Sequence, residues 1–189
     1  MAVETEIKVQ TNDLDKLKAM LLALKARALS DRHLEENNVL DTQEGRLRAE
    51  GCLLRVRKTG ARGSVTFKGP ARPSGVFKSR EESETVVENA DTMLKIFQQV
   101  GMEVWFRYEK YREEFSVPVS SGPTAEILVA LDSTPIGDYA ELEGSEEGIR
   151  ELANRLGFVE SQFLRDSYYS LFVRFCREHG EVPRHMVFR

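Results

Sequence analysis

The chain has 189 residues, 41% of them hydrophobic and 31% charged, which is typical of a folded protein of one domain. The formal net charge of −4 argues against a general nucleic-acid-binding protein, whose footprint is a basic excess. No stretch approaches the roughly 20 apolar residues of a membrane span, and Glu4 and Glu6 stand where a secretory signal would be basic and then apolar. We therefore expect a cytoplasmic protein that binds neither nucleic acid nor a membrane.

Four segments show the hydrophobic spacing of three to four residues that predicts amphipathic helices. In the first segment, Leu14, Leu17 and Leu21 follow the candidate cap Asp13. The predicted helices span residues 13–28, 91–100, 145–156 and 167–179. The remaining residues, 181–189, show little periodicity. We expect residues 1–180 to form a single domain and the tail at 181–189 to be loosely held.

Between the predicted helices, apolar and polar residues alternate with a period of two, which predicts β-strands. The predicted strands lie near residues 3–9, 33–41, 52–59, 64–68, 78–87, 103–117, 124–133 and 138–143. Turns that contain Gly and Pro separate several of them, so we expect hairpins and a mostly antiparallel sheet. Such a chain closes into a barrel or stacks as a sandwich, and its class is mainly β with added helices, or α+β.

Charged side chains occupy one face of most predicted strands. In the first strand, Glu4, Glu6 and Lys8 share a face. Together these faces carry seven acids and eight bases: Glu4, Glu6, Glu82, Glu84, Asp132, Glu141 and Glu143, and Lys8, Arg55, Arg57, Lys68, Lys78, Arg80, Lys110 and Arg112. An antiparallel sheet with one solvated face gives the same alternation without any function. A solvated face, however, commonly uses Thr, Ser and Gln rather than repeated Glu and Arg.

The paired carboxylates favour a cation. Two carboxylates placed two residues apart on a strand are about 7 Å from each other and repel by roughly 2 kcal/mol at an effective dielectric constant near 20. Carboxylate oxygens bind Mg²⁺ or Mn²⁺, whereas arginine and lysine bind phosphate oxygens. The mixture therefore predicts a site for a metal–polyphosphate complex. Alternation alone does not show whether the charged face points inward.

The motif Glu4-x-Glu6-x-Lys8 resembles the ExExK motif of the CYTH superfamily, also called triphosphate tunnel metalloenzymes. Six further motifs follow in the order of that family: Leu54-Arg55-Val56-Arg57, Thr66-Phe67-Lys68-Gly69-Pro70, Arg80-x-Glu82-x-Glu84, Glu109-Lys110-x-Arg112, Leu131-Asp132 and Tyr139-Ala140-Glu141-Leu142-Glu143. A lone ExExK motif is weak, but the ordered set is specific. Glu35-x-Asn37, followed by Leu40-Asp41-Thr42, is most similar to class IV adenylate cyclases and to bacterial proteins like thiamine triphosphatase.

The resemblance implies an eight-stranded antiparallel closed barrel with a charged tunnel and helices packed outside. It implies Mg²⁺ or Mn²⁺ as the cofactor. It assigns the metal to Glu4, Glu6, Asp132 and Glu141, with Glu143 as a further ligand or a group beside the ligands. It assigns phosphate binding to Lys8, Arg55, Arg57, Lys68, Lys110 and Arg112, and catalysis to Lys110, Glu4 and Glu6. Arg80, Glu82 and Glu84 are either ion pairs of the tunnel wall or a second metal site. The partner that it implies is a small molecule bearing a triphosphate, and a homodimer is compatible with the sequence.

The reaction has three candidates. The first is hydrolysis of inorganic, nucleoside or thiamine triphosphate, and the second is cyclisation of ATP to cyclic AMP and pyrophosphate. The third is a non-catalytic sensor of triphosphate or polyphosphate. Two positions depart from the family: Val39 stands where a tyrosine is expected to assist Lys110, and Asp166 precedes Ser167 where a lysine is expected. We expect Trp105 and Phe106 to pack under a helix rather than to stack on a base.

Overall fold

The computed structural model describes residues 2–123 and 125–189, and within them it forms one β-sheet and five α-helices. The strands are β1 (Ala2–Thr11), β2 (Arg27–Thr42), β3 (Leu53–Thr59), β4 (Arg62–Lys68), β5 (Arg72–Ser74), β6 (Phe77–Val87), β7 (Met102–Pro118), β8 (Glu126–Thr134) and β9 (Gly137–Glu143). The helices are α1 (Leu14–Ala23), α2 (Arg46–Ala49), α3 (Ala90–Gln99), α4 (Glu146–Arg155) and α5 (Tyr168–His179), with a 3₁₀ turn (Glu160–Gln162) before α5.

The sheet closes on itself. Its strand order is β1-β9-β8-β7-β2-β3-β4-β6-β5, and β1 pairs additionally with β6. This second pairing joins eight strands into a ring, with the three-residue β5 as a further edge piece beside β6. The pairings between the described strands are antiparallel. The eight-stranded antiparallel barrel predicted from the sequence is confirmed.

The main hydrophobic core lies between the barrel wall and the helices outside it. Ile7 of β1 and Val129 of β8 are buried in one cluster with Leu21 of α1 and Ile149 of α4. Burial of each such side chain contributes roughly 1.5–3 kcal/mol. A slip of one residue in β1 would bring its charged neighbours into this core, because successive side chains point to opposite faces. The outer packing therefore directs the charged faces into the barrel.

Helix α5 covers one end of the barrel. Its buried residues Tyr168 and Phe172 share a hydrophobic cluster with Phe106 and Tyr108, which lie on the same face of β7 as Lys110. The ring centroids of Phe106 and Phe172 are 5.9 Å apart. With 12 residues, α5 is short, and none of the helices in the described ranges is long and apolar enough to cross a membrane.

Four elements, α1, β2, α2 and β5, differ from the sequence predictions. The first helix ends at Ala23 rather than near residue 28, because Lys25 adopts the left-handed conformation with φ of 63° and turns the chain. Strand β2 therefore begins at Arg27, six residues before the predicted start, and pairs with β7 through irregular register shifts that period-two alternation does not reveal. Helix α2 and strand β5 are too short for a periodic signal. The predicted strand 124–133 begins at a residue outside the described ranges.

The C-terminal tail is anchored at Met186, which is 1% exposed. Its backbone nitrogen donates to the carbonyl of Arg107 at 2.9 Å, and its carbonyl accepts from the nitrogen of Glu109 at 2.8 Å. Met186 joins the hydrophobic cluster under α5. The structure thus differs from the expected loosely held tail, because one apolar side chain and two backbone hydrogen bonds attach it to the outer edge of β7.

Asp41 joins β2 to α2. Its Oδ1 accepts from the backbone nitrogens of Thr42 and Leu47, both at 2.8 Å, and its Oδ2 accepts from the backbone nitrogen of Arg48 at 3.2 Å and from its Nε at 2.8 Å. Although burial opposes ionisation, the backbone donors of Leu47 and Arg48 lower the pKa of Asp41 below its usual value. The carboxylate therefore supplies the cap that the short helix α2 lacks at Gly45.

We predict that Asp41→Ala lowers the free energy of unfolding by about 2–4 kcal/mol, because buried donors lose a charged acceptor, whereas Asp41→Asn loses less. The folded-state pKa lies below the ordinary value of 3.8, so the contribution is complete above pH 3.8 and is lost as the pH falls through the folded-state pKa. Denaturant titrations at pH 7 and pH 3 measure this. A difference between wild type and Asp41→Ala that did not shrink at low pH would contradict the prediction.

Candidate functional site

A cavity of about 710 Å³ runs inside the barrel. Its charged lining comes from six strands and from helix α2. The carboxylates are Glu4, Glu6, Glu82, Glu84, Glu114, Glu141 and Glu143, and the cations are Lys8, Arg48, Arg55, Arg57, Lys68, Lys78, Arg80, Lys110 and Arg112. The charged strand faces thus point inward, and the cations exceed the carboxylates by two. The lining suits an anion that is itself accompanied by a cation.

The acidic wall of the cavity is formed by β1, β6 and β9. Lys68 Nζ lies 2.5 Å from Glu4 Oε2 and 3.0 Å from Glu82 Oε2, and Lys78 Nζ lies 2.7 Å from Glu6 Oε1. The carboxyl groups of Glu4 and Glu82 are also within hydrogen-bonding distance of each other. Two carboxyl groups this close require a shared proton or a cation.

The carboxylates of the acidic wall outnumber the cations that the same three strands bring to the cavity lining. Burial and the contact with Glu82 raise the pKa of Glu4 to about 8. Burial, with Glu6 and Glu82 nearby, raises the pKa of Glu143 to about 7. Against the effect of burial, Lys8 and Lys78 lower the pKa of Glu6 to about 2. A divalent cation here would relieve the repulsion that keeps Glu4 and Glu143 from ionising.

The chemistry of the acidic wall fits Mg²⁺ or Mn²⁺, since both ions prefer carboxylate oxygens. In the part of the chain that the structure describes, no three His, Cys, Asp or Glu side chains are already arranged around a point that could hold an ion. Instead, Lys68 pairs with Glu4 and Lys78 pairs with Glu6. The donors are therefore present, and ligation would require these lysines to turn away.

The basic wall is organised around Asp132, which is completely buried and lies behind the cavity lining. Its oxygens accept from Lys110 at 2.9 Å, from two nitrogens of Arg112 at 2.7 and 2.6 Å, and from the hydroxyl of Tyr168 at 2.6 Å. Burial and the charge of Asp132 raise the pKa of Tyr168 well above its usual value, so the phenol stays a donor. Asp132 holds two cations of the cavity in fixed positions.

Glu141 links the two walls. Its Oε1 lies 2.9 Å from Lys8 Nζ, and its Oε2 lies 2.5 Å from Arg112 Nη2. Although burial opposes ionisation, Lys110, Lys8 and Arg112 lower the pKa of Glu141 well below its usual value. Glu141 is therefore an ionised carboxylate that lies between the acidic wall and the basic wall.

Two arginines of the lining keep buried donors that have no partner. Arg55 donates to Thr66 Oγ1 at 2.9 Å and to the hydroxyl of Tyr108 at 3.3 Å, and Arg80 donates to the carbonyl of Gly51 at 2.7 Å. The Nε of Arg55 and the Nε of Arg80 are both buried without any hydrogen bond. Unsatisfied buried donors are costly, and an anion in the cavity is the group that would satisfy them.

The model of the CYTH domain matches residues 2–168. The chain belongs to the CYTH family. A relative of this CYTH protein from Methanocaldococcus jannaschii, named "Putative adenylate cyclase", is 25% identical over 174 residues, which are 89% of this chain and 98% of the relative.

Solved structures share the CYTH fold. A "putative adenylate cyclase" from Vibrio parahaemolyticus is 19% identical, with a TM-score of 0.74 over 90% of this chain and 97% of that one. A Hippeastrum protein, described as a "putative adenylyl cyclase" that reveals a dominant triphosphatase activity, is 16% identical, with a TM-score of 0.61 over 97% of this chain and 98% of that one. At these identities the likeness shows the fold.

The structure places most residues of the sequence-predicted site in the cavity lining of this CYTH domain. These are Glu4, Glu6, Lys8, Arg55, Arg57, Lys68, Arg80, Glu82, Glu84, Lys110, Arg112, Glu141 and Glu143. Asp132 is the exception, since it lies one layer behind. The sequence prediction gave no role to Lys78, although it shares a face with Arg80. It also missed Tyr108 and Tyr168, whose hydroxyls contact Arg55 and Asp132. The available signal was a tyrosine among charged neighbours.

Aromatic side chains line the end of the cavity next to α5. Trp105 contacts Tyr169 edge to face at 4.6 Å, and the guanidinium of Arg48 lies 4.6 Å from the Trp105 ring. Phe106 is 1% exposed and packs against α5, as expected for a residue under a helix. Trp105, which was expected to pack in the same way, is only half-buried, and both residues border the cavity. The charged walls and an aromatic surface thus share one cavity.

We predict that Asp132→Asn lowers the free energy of unfolding by about 3–5 kcal/mol, because Lys110 and Arg112 lose the buried charge that pairs with them. The variant Tyr168→Phe removes one donor from the same carboxylate and should lower it by about 1–2 kcal/mol. Urea titrations at pH 7 measure both. Equal losses for the two variants would show that the charge of Asp132 does not organise the basic wall.

Proposed function

We propose that this CYTH protein is a divalent-metal-dependent triphosphatase. The observation that carries the proposal is the division of one cavity into two complementary halves. One half, on β1, β6 and β9, has carboxylates in excess of their lysine partners, and the other half carries Arg55 on β3 with a donor buried without an acceptor. A triphosphate with a divalent ion supplies the acceptors and the positive charge that the two halves lack.

In this proposal Glu4, Glu6 and Glu143 hold the Mg²⁺ or Mn²⁺, with Glu141 as the carboxylate nearest the phosphates. The ion would neutralise charge on the triphosphate and polarise its phosphorus–oxygen bonds. Asp132 remains a candidate ligand from the sequence. Because it already accepts from Lys110, Arg112 and Tyr168, we assign it to orienting cations instead.

The cations would fix the triphosphate for in-line attack by water. Arg55, Arg57 and Arg80 offer planar N–H groups to phosphate oxygens, and Lys8 and Lys110 supply point charges. Burial alone would lower the pKa of Lys8, but Glu141 and Glu6 raise it above its usual value, so the ammonium is charged at neutral pH. Phosphoryl transfer of this kind needs positioning and charge stabilisation more than covalent chemistry. Hydrolysis also requires no contact with the group that carries the triphosphate.

We predict that wild-type protein with Mg²⁺ or Mn²⁺ releases phosphate from inorganic triphosphate, ATP or thiamine triphosphate, and that Glu6→Gln lowers the rate at least ~100-fold through loss of charge stabilisation. The matched control is Glu113→Gln on the outer face of β7, where the carboxylate pairs with Lys18 at 2.7 Å. It should keep the wild-type rate. Phosphate, pyrophosphate and cyclic AMP are resolved by anion-exchange chromatography.

The outcomes of this assay separate the candidates. Phosphate release that needs Glu6 but not Glu113 supports the triphosphatase. Cyclic AMP with an equal amount of pyrophosphate favours the cyclase over it. Binding of a triphosphate that depends on Glu6, without any product, replaces the enzyme with a sensor. Protein that neither binds nor converts a triphosphate overturns the proposal in all three forms.

The second candidate, an adenylate cyclase, is favoured by the aromatic end of the cavity. Trp105 and Tyr169 offer a surface on which an adenine could stack beside the charged walls. The Methanocaldococcus jannaschii relative carries a cyclase name, and the Hippeastrum protein combines such a name with a dominant triphosphatase activity. Both reactions use the same phosphate clamp and differ in the nucleophile, which is water or a ribose hydroxyl.

Trp105 is the single tryptophan of the chain, so its fluorescence reports on this end of the cavity. If the cavity accepts a nucleotide base there, ATP should change the emission of Trp105 while inorganic triphosphate, bound at the same occupancy, should not. The variant Trp105→Leu should then weaken ATP binding roughly 5–100-fold, the range expected for stacking of one base. An equal spectral response to both ligands would contradict stacking and remove the observation that favours the cyclase.

A further inference from the structure

Two buried polar side chains of β2 lie beside cations of the cavity without belonging to its lining. Glu35 and Asn37 are each 2% exposed. They point to the same side because they are two residues apart on the strand. The register places Asn37 opposite Arg57 on β3 and Glu35 opposite Lys110 on β7. Strand β2 therefore brings an acceptor next to a cation on each of its two neighbours.

Asn37 and Glu35 together fix the guanidinium of Arg57. The Nε of Arg57 donates to Asn37 Oδ1 at 3.0 Å, and its Nη1 lies 2.9 Å from Glu35 Oε1. These two contacts hold two of the three nitrogens of a planar group that has five N–H donors, which fixes its orientation. Arg57 lines the cavity, so its remaining donors are presented to a ligand in one orientation.

The second oxygen of Glu35 faces Lys110. Glu35 Oε2 is 3.6 Å from Lys110 Nζ and is buried without a hydrogen bond. Against the effect of burial, Lys110, Arg112 and Arg57 lower the pKa of Glu35 to about 2, so the carboxylate is ionised. His33 Nε2 approaches the other oxygen at 3.8 Å. A buried anion with an unsatisfied oxygen costs stability, and its role is therefore to be sought in its effect on the two cations.

We propose that Glu35 and Asn37 are positioning residues for triphosphate chemistry, an inference that rests on the proposed triphosphate site. They form a bracket that aims Arg57 and Lys110 at the phosphates, and the charge of Glu35 limits how tightly the cavity binds polyphosphate. Ground-state binding that is too tight does not speed the reaction. The bracket thus lowers the affinity for polyphosphate while it fixes the orientation of Arg57 and Lys110.

The bracket makes opposite predictions for affinity and turnover. Glu35→Gln keeps the size of the side chain but removes one negative charge from the basic wall. Binding of inorganic triphosphate without metal should then tighten about tenfold. At the same time kcat should fall roughly 10–100-fold, because Arg57 and Lys110 lose their fixed positions. A residue with a purely structural role would lower affinity and turnover together.

The experiment compares wild type, Glu35→Gln and Asn37→Ala. The Kd of inorganic triphosphate is measured by calorimetry in EDTA, and kcat and KM are measured with Mg²⁺ or Mn²⁺ on the best of the three triphosphates. Asn37→Ala changes no charge, so its kcat should fall while its Kd does not tighten. It also tests the orienting role if Glu35→Gln does not fold, which thermal unfolding reports.

The outcomes distinguish the bracket from the proposed function. Tighter binding with slower turnover in Glu35→Gln supports the bracket. Unchanged constants in both variants, or weaker binding in Glu35→Gln, overturn it and leave the triphosphatase intact. Wild type that binds no triphosphate overturns both. Wild type that binds without turnover removes the proposed hydrolysis, and the affinity comparison alone then judges the charge effect of Glu35.

Discussion

The interior of this barrel depends on the mutual neutralisation of charges that the outer core forces inward. Once Ile7 and its apolar neighbours pack against the helices, the alternating residues of each strand have nowhere else to point. A closed ring of strands filled with charges of one sign would not hold together. Opposite charges on nearby strands therefore pair inside the barrel, as between Lys68 of β4 and Glu4 of β1 or between Arg112 of β7 and Asp132 of β8. Stability and a binding cavity arise from the same pairs.

The pairing of opposite charges is uneven between the acidic wall and the basic wall. Asp132 accepts from two cations, Lys110 and Arg112, whereas Glu4 and Glu82 share one lysine, Lys68. The two walls therefore differ in character, although the lining as a whole is close to balanced. This asymmetry makes one side of the cavity suited to a cation and the other side suited to an anion. A ligand with a negative chain and a positive counterion fits it in one orientation, and its binding would replace internal ion pairs rather than add to them.

Much of the fold could be predicted from the sequence because period-two alternation is strong wherever one strand face is apolar and the other charged. The barrel itself, and the inward residues of β1, β3 and β6, follow from this pattern and from the order of the family motifs. Alternation could not give the direction of the charged face, since that depends on the helices. It also could not reveal Lys25, whose left-handed backbone ends α1 early, because this depends on how the chain reverses into β2.

The candidate site was predictable at the level of residue type and less so at the level of role. A sequence does not show that Asp132 lies behind the lining, because burial depth depends on which neighbours reach across the barrel. Glu35 and Asn37 were visible as a motif, but their contact with Arg57 depends on the register between β2 and β3. Val39 borders the cavity where the family motif led us to expect a tyrosine, and hydroxyls reach the interior from Tyr108 and Tyr168 instead.

The closure of the ring through β1 has a consequence for how the protein is made. Strand β1 is synthesised first, yet it pairs with β6 and with β9, whose residue Glu143 lies opposite Glu6. One side of β1 can pair once β6 (Phe77–Val87) has been synthesised, but its other side stays unpaired until β9 (Gly137–Glu143) follows. Contacts between such distant segments make folding slow. The acidic wall is assembled from the two ends of the domain, so a nascent chain lacks the site until its last strand arrives.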